Sequence, residues 1–171
     1  ILPLLDFAYQ GFADGIRADI DGNIGTMPLL ADGAGGDVVL WAAKTISVSG
    51  WIETTGVNDK GGNVVVIANN RGNEVQAISL GAVRTSGPVS GNVVIANSGT
   101  SGDISVGQIK TSSSALQGHA GGVGIIGPKV IDVASSLSSG AAIDTQGAGA
   151  LLSGGVFISS GSNNAFGPTA I

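Results

Sequence analysis

Cysteine is absent from this chain of 171 residues, so disulfides and thiolate metal sites are excluded. Charge is scarce: 11% of residues are Asp, Glu, Lys or Arg, and the net charge is -5. An acidic balance, with a sequence pI near 4.4, argues against nucleic acid and anionic membrane surfaces as partners. Aromatic residues make up 4%, and there is one histidine. No apolar run nears the ~18–20 residues of a membrane span. No stretch carries a 3.6-residue apolar stripe, and 30 glycines are scattered throughout. Helix is therefore not expected beyond a turn or two. Yet 43% of the residues are hydrophobic and mean hydropathy is +0.39. That apolar surplus has to be buried some other way.

What is present is a repeat. A Gly-x-Val mark recurs at Gly36, Gly62, Gly91, Gly122-Val123-Gly124 and Gly155-Val156-Phe157. A second mark, Ile/Val-x-Thr, recurs as Ile24-Gly-Thr26, Ile52-Glu-Thr54, Val83-Arg-Thr85, Ile109-Lys-Thr111 and Ile143-Asp-Thr145. The two keep the same order at similar spacing. Their variable steps place the insertions at corners, where loops tolerate changes of length. Between the marks lie short Val- and Ile-rich runs bounded by Gly, Asn, Ser or Pro, which are strand signals. Three short strands and three corners in roughly 30 residues suit one coil of a parallel β-helix. The expected fold is all-β: a single-domain right-handed parallel β-helix of about five coils over residues 16–160. An N-terminal cap or docking arm (1–15) precedes it, and a tail or last strand (161–171) follows.

Alternation along each strand assigns the two faces. Val38, Leu40, Ile46, Val64, Val66, Val93, Ile95, Ile104, Val106 and Ile109 are expected inside. Val39, Trp41, Val65, Ile67, Val94 and Phe157 are then expected outside, as an apolar stripe down one side. Such a stripe marks an interaction surface unless a loop or arm of the same chain covers it. Asp37, Asn63 and Asn92 share one corner and read as a structural ladder. Thr26, Thr54, Thr85, Thr111 and Thr145 read as another. Beside it, Glu53 is expected to face Arg84, and Lys110 to face Asp144. Exposed pairs of this kind are worth a few tenths of a kcal/mol and serve register.

Other segments carry little chemistry. The first fifteen residues, with Leu4, Leu5, Phe7, Tyr9 and Phe12, fit either an end cap or an arm docking on a neighbouring subunit. Asp19-Ile-Asp21-Gly-Asn23 resembles the start of a calcium loop. However, Ile24 and Leu30 stand where Gly and Glu belong, so it reads as a turn. Gly122-Val-Gly124-Ile-Ile-Gly127 spells a dinucleotide fingerprint, but Pro128 follows at once and no βαβ unit surrounds it. His119 has no orienting partner in reach and reads as an exposed loop residue. No signal peptide is visible. If the protein is exported, Ile1 follows a processing event.

The phrases Gly91-Asn-Val-Val-Ile-Ala96, Gly102-Asp-Ile-Ser-Val-Gly-Gln-Ile-Lys-Thr-Ser-Ser113 and Gly61-Gly-Asn-Val-Val-Val-Ile-Ala68 resemble the repeats of filamentous-haemagglutinin-like proteins. These are bacterial exported β-helix proteins, often sent out by two-partner secretion. The resemblance covers about residues 16–160. It implies a right-handed parallel β-helix, a cell-surface or secreted location, and adhesive or structural work. The chain is far shorter than typical members and lacks their amino-terminal secretion module, as a mature subunit or an excised segment would.

Three functions compete. One is a non-enzymatic structural subunit of an extracellular fibre or surface layer, joined end to end by strand pairing, whose partner is itself. Another is an adhesin or carbohydrate-binding segment, whose partner is a surface polysaccharide. The third, a polysaccharide-degrading enzyme, needs two carboxylates at working distance or carboxylates clustered with Lys or Arg. The 12 acids here stand mostly at turns, so no enzyme, cofactor or metal is expected. Ice binding through the Thr ladder is disfavoured by the charges at 53, 84, 110 and 144.

Overall fold

The structure is a computed structural model. It describes residues 35–56, 59–116, 118–134, 141–147 and 153–161, and the backbone of 16–19, 23–24 and 27–28. The expected docking arm (Leu4, Leu5, Phe7, Tyr9, Phe12), Asp21, Thr26 and the tail from 162 lie outside the described residues.

All described elements are strands: β1 (Ile16–Asp19), β2 (Asn23–Ile24), β3 (Met27–Pro28), β4 (Val38–Ala42), β5 (Ile46–Glu53), β6 (Val64–Ala68), β7 (Gln76–Arg84), β8 (Val93–Asn97), β9 (Asp103–Lys110), β10 (Val123–Gly127), β11 (Ile131–Val133), β12 (Ile143–Asp144) and β13 (Val156–Ser160). Every pairing is parallel and joins a strand to its copy one coil away. One sheet, here called the first, has six strands in the order β1-β4-β6-β8-β10-β13. The second runs β11-β9-β7-β5-β2, with β12 beside β9 and β3 beside β5. Its long strands β5, β7 and β9 bend across two sides of the coil. The result is a β-solenoid of about four turns. Five copies of a mark delimit four steps between them.

The core is a set of vertical columns. Val38, Val64, Val93 and Val123 stack in register, as do Leu40, Val66, Ile95 and Ile125. In the second sheet Ile46, Ile78, Ile104 and Ile131 form one column, and Ile52, Val83, Ile109 and Ile143 another. The ten residues expected inside are all buried, at 0 or 1% exposure. Full burial of each large apolar side chain is worth roughly 1.5–3 kcal/mol.

Register corrects three details. The glycines in phase with Gly36, Gly62 and Gly91 are Gly121 and Gly154, one residue before those expected, because Val123 pairs with Val93 and Val156 with Val123. The residue pair Gly121-Gly122 hid the phase, since either glycine satisfies Gly-x-x. In the first coil Met27 pairs with Ile52, whereas Ile24 pairs with Val48. That coil is shorter than its copies, so Ile24-Gly-Thr26 is not the closing run. Finally, the register shifts at Ser49-Gly50, which together oppose Gly81; β5 alternates through it with Trp51 outward, whereas alternation breaks in β7, where Ala82 and Val83 are both buried.

The phased glycines sit where coils touch. A methyl group on Gly62, Gly91, Gly121 or Gly154 would collide with the carbonyl oxygen of the glycine one coil earlier. Gly124, in contrast, faces open space. Gly91→Ala should therefore destabilise the solenoid by about 1–3 kcal/mol, as overpacking does. Gly124→Ala should stay within about 0.5 kcal/mol. Denaturant melts of the two variants check this.

Candidate assembly surfaces

The outer row of the first sheet runs Val39, Val65, Val94, Gly124, Phe157 in register. Two residues along the strand, a second row runs Trp41, Ile67, Ala96, Ile126, Ser159. Trp41 is 45% exposed and Phe157 59% exposed. Val94 and Ile126 are exposed too, and Val39, Val65 and Ile67 are half-buried by their neighbours in the stack. The sequence pattern missed Ala96 and Ile126, which only the register adds to the row, and the gap that Gly124 leaves in it. From β4 to β13 neither row carries a charge; at β1 the register continues them with Arg17 and Asp19.

At that gap the face is concave. Gly122, Gly124 and Gly155 stand where other coils carry Asn, Val and Asp side chains. Together they leave a shallow depression of about 420 Å³, walled by Val94, Val156 and Phe157. The Asn/Asp ladder ends here for the same reason. Asn63 N–H donates to Asp37 Oδ1 (2.6 Å), Asn92 N–H to Asn63 Oδ1 (2.9 Å) and Gly122 N–H to Asn92 Oδ1 (2.8 Å). Gly122 has no side chain to pass the bond on.

The threonines do something the sequence did not show. Thr54, Thr85 and Thr111 are fully buried. Their hydroxyls donate to the carbonyls of Gly62 (2.7 Å), Gly91 (2.7 Å) and Gly121 (2.6 Å), and Thr145 donates to Gly154 (3.0 Å). Each glycine N–H donates back to its threonine carbonyl, at 2.9, 3.1, 3.0 and 3.0 Å in the same order. A pair of hydrogen bonds thus closes each of the four corners that lead from Thr54, Thr85, Thr111 and Thr145 back to the first sheet.

Beside this ladder, Glu53, Arg84, Lys110 and Asp144 follow one another in register. Their side chains go elsewhere than to each other. The Arg84 guanidinium lies over the Trp51 ring, 3.8 Å from its centroid. Glu53 Oε1 accepts from Thr55 Oγ1 at 3.0 Å, and Asp144 Oδ1 from Gln146 N–H at 3.1 Å. A guanidinium stacks on an indole more readily than it holds an exposed carboxylate, because it is weakly hydrated and planar. Ser47, Ser79, Ser105 and Asp132 form a separate outward row on the second sheet.

His119 is exposed on a corner, and its carbonyl accepts from Ser90 N–H at 2.9 Å. Among the described residues no three His, Cys, Asp or Glu side chains converge. The side chains of Asp19 and Asn23 are not described.

No family model matches the chain, and neither a curated protein nor a solved structure matches it.

Thr111→Val keeps the side-chain shape and leaves the buried Gly121 carbonyl without its hydroxyl donor. A loss of about 1–3 kcal/mol is expected. Lys110→Ala, on the solvent side of the same strand, should cost less than about 0.5 kcal/mol. Urea titration of both variants checks the difference.

Proposed function

We propose that the protein is a non-enzymatic structural subunit of an extracellular or cell-surface fibre, in which solenoids join end to end by strand pairing. The carrying observation is the end of the first sheet. Val156 continues the column of Val38, Val64, Val93 and Val123, which are 0–3% exposed, yet it is 49% exposed itself. Among the described residues, β13 pairs on one side only, with β10.

The unpaired side can be read from the ladder. Val123 N–H donates to Gly155 O and Gly161 N–H to Gly127 O. In a parallel pair, successive residues point their N–H and C=O to alternate sides. Val156, Ile158 and Ser160 therefore aim theirs away from β10. An open edge of this kind is a template for another strand, and a contact that repeats without closing makes a filament. The resemblance to filamentous-haemagglutinin-like repeats supports an exported protein with structural or adhesive work. The docking arm, Leu4 to Phe12, is a candidate for the opposite end of the joint.

A second reading, an adhesin or carbohydrate-binding segment, is favoured by Trp51. It is 43% exposed and carries the Arg84 guanidinium on its ring. Polysaccharide binding lost in Trp51→Ala, by a protein that stays monomeric, would favour it.

Proline lacks the N–H that end-to-end pairing needs and is tolerated on edge strands. Val156→Pro together with Ser160→Pro removes two outward N–H groups and leaves the bonds to β10. Negative-stain images of wild type should show filaments. The double variant should show only particles of one or two subunits, with its melting temperature within a few degrees of wild type. A wild type that stays particulate at high concentration defeats the reading.

A further inference from the structure

We infer that the strand filling the open edge of β13 is β1 of a second copy, laid parallel with Ile16 over Val156 and Ala18 over Ile158. This deepens the end-to-end reading above and rests on it. Pairing of β13 with another β13 would be two-fold and would close at two subunits, whereas β1 on β13 repeats without closing. β1 and β13 are the two ends of the first sheet, and among the described residues each pairs on one side only.

The backbone groups at the two ends match. Val38 N–H donates to Asn63 O, Val64 N–H to Asn92 O, Val93 N–H to Gly122 O and Val123 N–H to Gly155 O. Residues of this column thus bond towards the following coil. Ile16 is in register with Val38 and Ala18 with Leu40, so Ile16 and Ala18 bond to β4. Successive residues of a parallel strand alternate, so the N–H and C=O of Arg17 and Asp19 aim away from β4. On β13 the outward groups belong to Val156, Ile158 and Ser160. One step beyond β13, β1 meets them in order. Arg17 N–H donates to Val156 O, Ile158 N–H to Arg17 O, Asp19 N–H to Ile158 O and Ser160 N–H to Asp19 O. Only the outermost groups, Val156 N–H and Ser160 O, are left for neighbouring residues.

The columns continue as well. Ile16, Val38, Val64, Val93, Val123 and Val156 occupy one column, all β-branched. Ile16 over Val156 therefore repeats the contact of Val38 with Val64. In the outer rows the same register brings Arg17 to Phe157, which is 59% exposed, and Asp19 to Ser159. A guanidinium beside an aromatic ring on the neighbouring coil is the arrangement that Arg84 and Trp51 already make. A serine hydroxyl donates to a carboxylate. The two charges of these rows thus fall at the joint, each against a group that suits it.

Cysteine cross-linking tests this, because the chain has no cysteine of its own. Within one chain β1 and β13 are five pairing steps apart, about 24 Å, too far for a disulfide, whose Cα atoms stand within about 7 Å. Across the joint, positions 17 and 157 are about 4.8 Å apart. The double variant Arg17→Cys, Phe157→Cys, oxidised where wild type forms filaments, should give a ladder of covalent oligomers on a non-reducing gel. Asp19→Cys with Ser159→Cys should give the same ladder. Arg17→Cys with Ser159→Cys is out of register by two residues, about 8 Å, and should cross-link about tenfold less. Adding Val156→Pro and Ser160→Pro should abolish the ladder. Filaments without a ladder from either in-register pair overturn this inference and leave end-to-end joining standing. A ladder as strong from the out-of-register pair does the same. Covalent dimers of Phe157→Cys, Ser159→Cys that stop at two would place β13 on β13 and overturn both. A wild type that stays particulate, with no ladder from either pair, also removes both.

Discussion

From Thr54 onward, each described turn of this solenoid depends on a threonine and a glycine holding each other by two hydrogen bonds. The threonine hydroxyl and carbonyl meet the carbonyl and N–H of the glycine that opens the next coil. The corners spanned differ in length, at 8, 6, 10 and 9 residues from Thr54, Thr85, Thr111 and Thr145. The bonds do not change with them. Corner length is thereby separated from register, and loops can vary without shifting a strand. The glycine is required on the other side as well, because its Cα packs against the carbonyl of the glycine one coil below. A buried hydroxyl without a partner costs about 1–3 kcal/mol, so the pairing also penalises slipped registers, where the hydroxyl would be stranded.

Fixed register turns a loose sequence repeat into continuous rows. Residues 26 to 33 positions apart become neighbours about 4.8 Å apart. Small biases at one repeat position therefore add up to a whole side of the molecule. One side is apolar from β4 to β13, one carries the Ser47–Ser79–Ser105 hydroxyls, and one carries Glu53, Arg84, Lys110 and Asp144. The same logic makes a single departure conspicuous. Where Gly122, Gly124 and Gly155 drop three side chains, an Asn ladder stops and a depression opens.

Period-2 alternation and the two marks made the fold and the inward residues legible, because burial inside a narrow solenoid leaves few alternatives. Phase was less legible where glycines are doubled, as at Gly121-Gly122 and Gly154-Gly155. Only pairing distinguishes the glycine that packs from the one that follows it. Alternation also fails inside the longer strands, where Ala82 and Val83 of β7, and Gln108 and Ile109 of β9, are buried side by side, and no count by twos shows that. The role of the threonines was invisible for another reason. A Thr ladder in sequence says that the position repeats, and nothing about the glycine, 6 to 10 residues on, that it binds.

A solenoid has to stop, and how it stops sets what it can join. Natural edges are blunted by charge, proline, bulges or a covering segment. Among its described residues, β13 is Val-Phe-Ile-Ser-Ser, with none of the first three. Joined at that edge, subunits would carry the apolar side forward from one to the next.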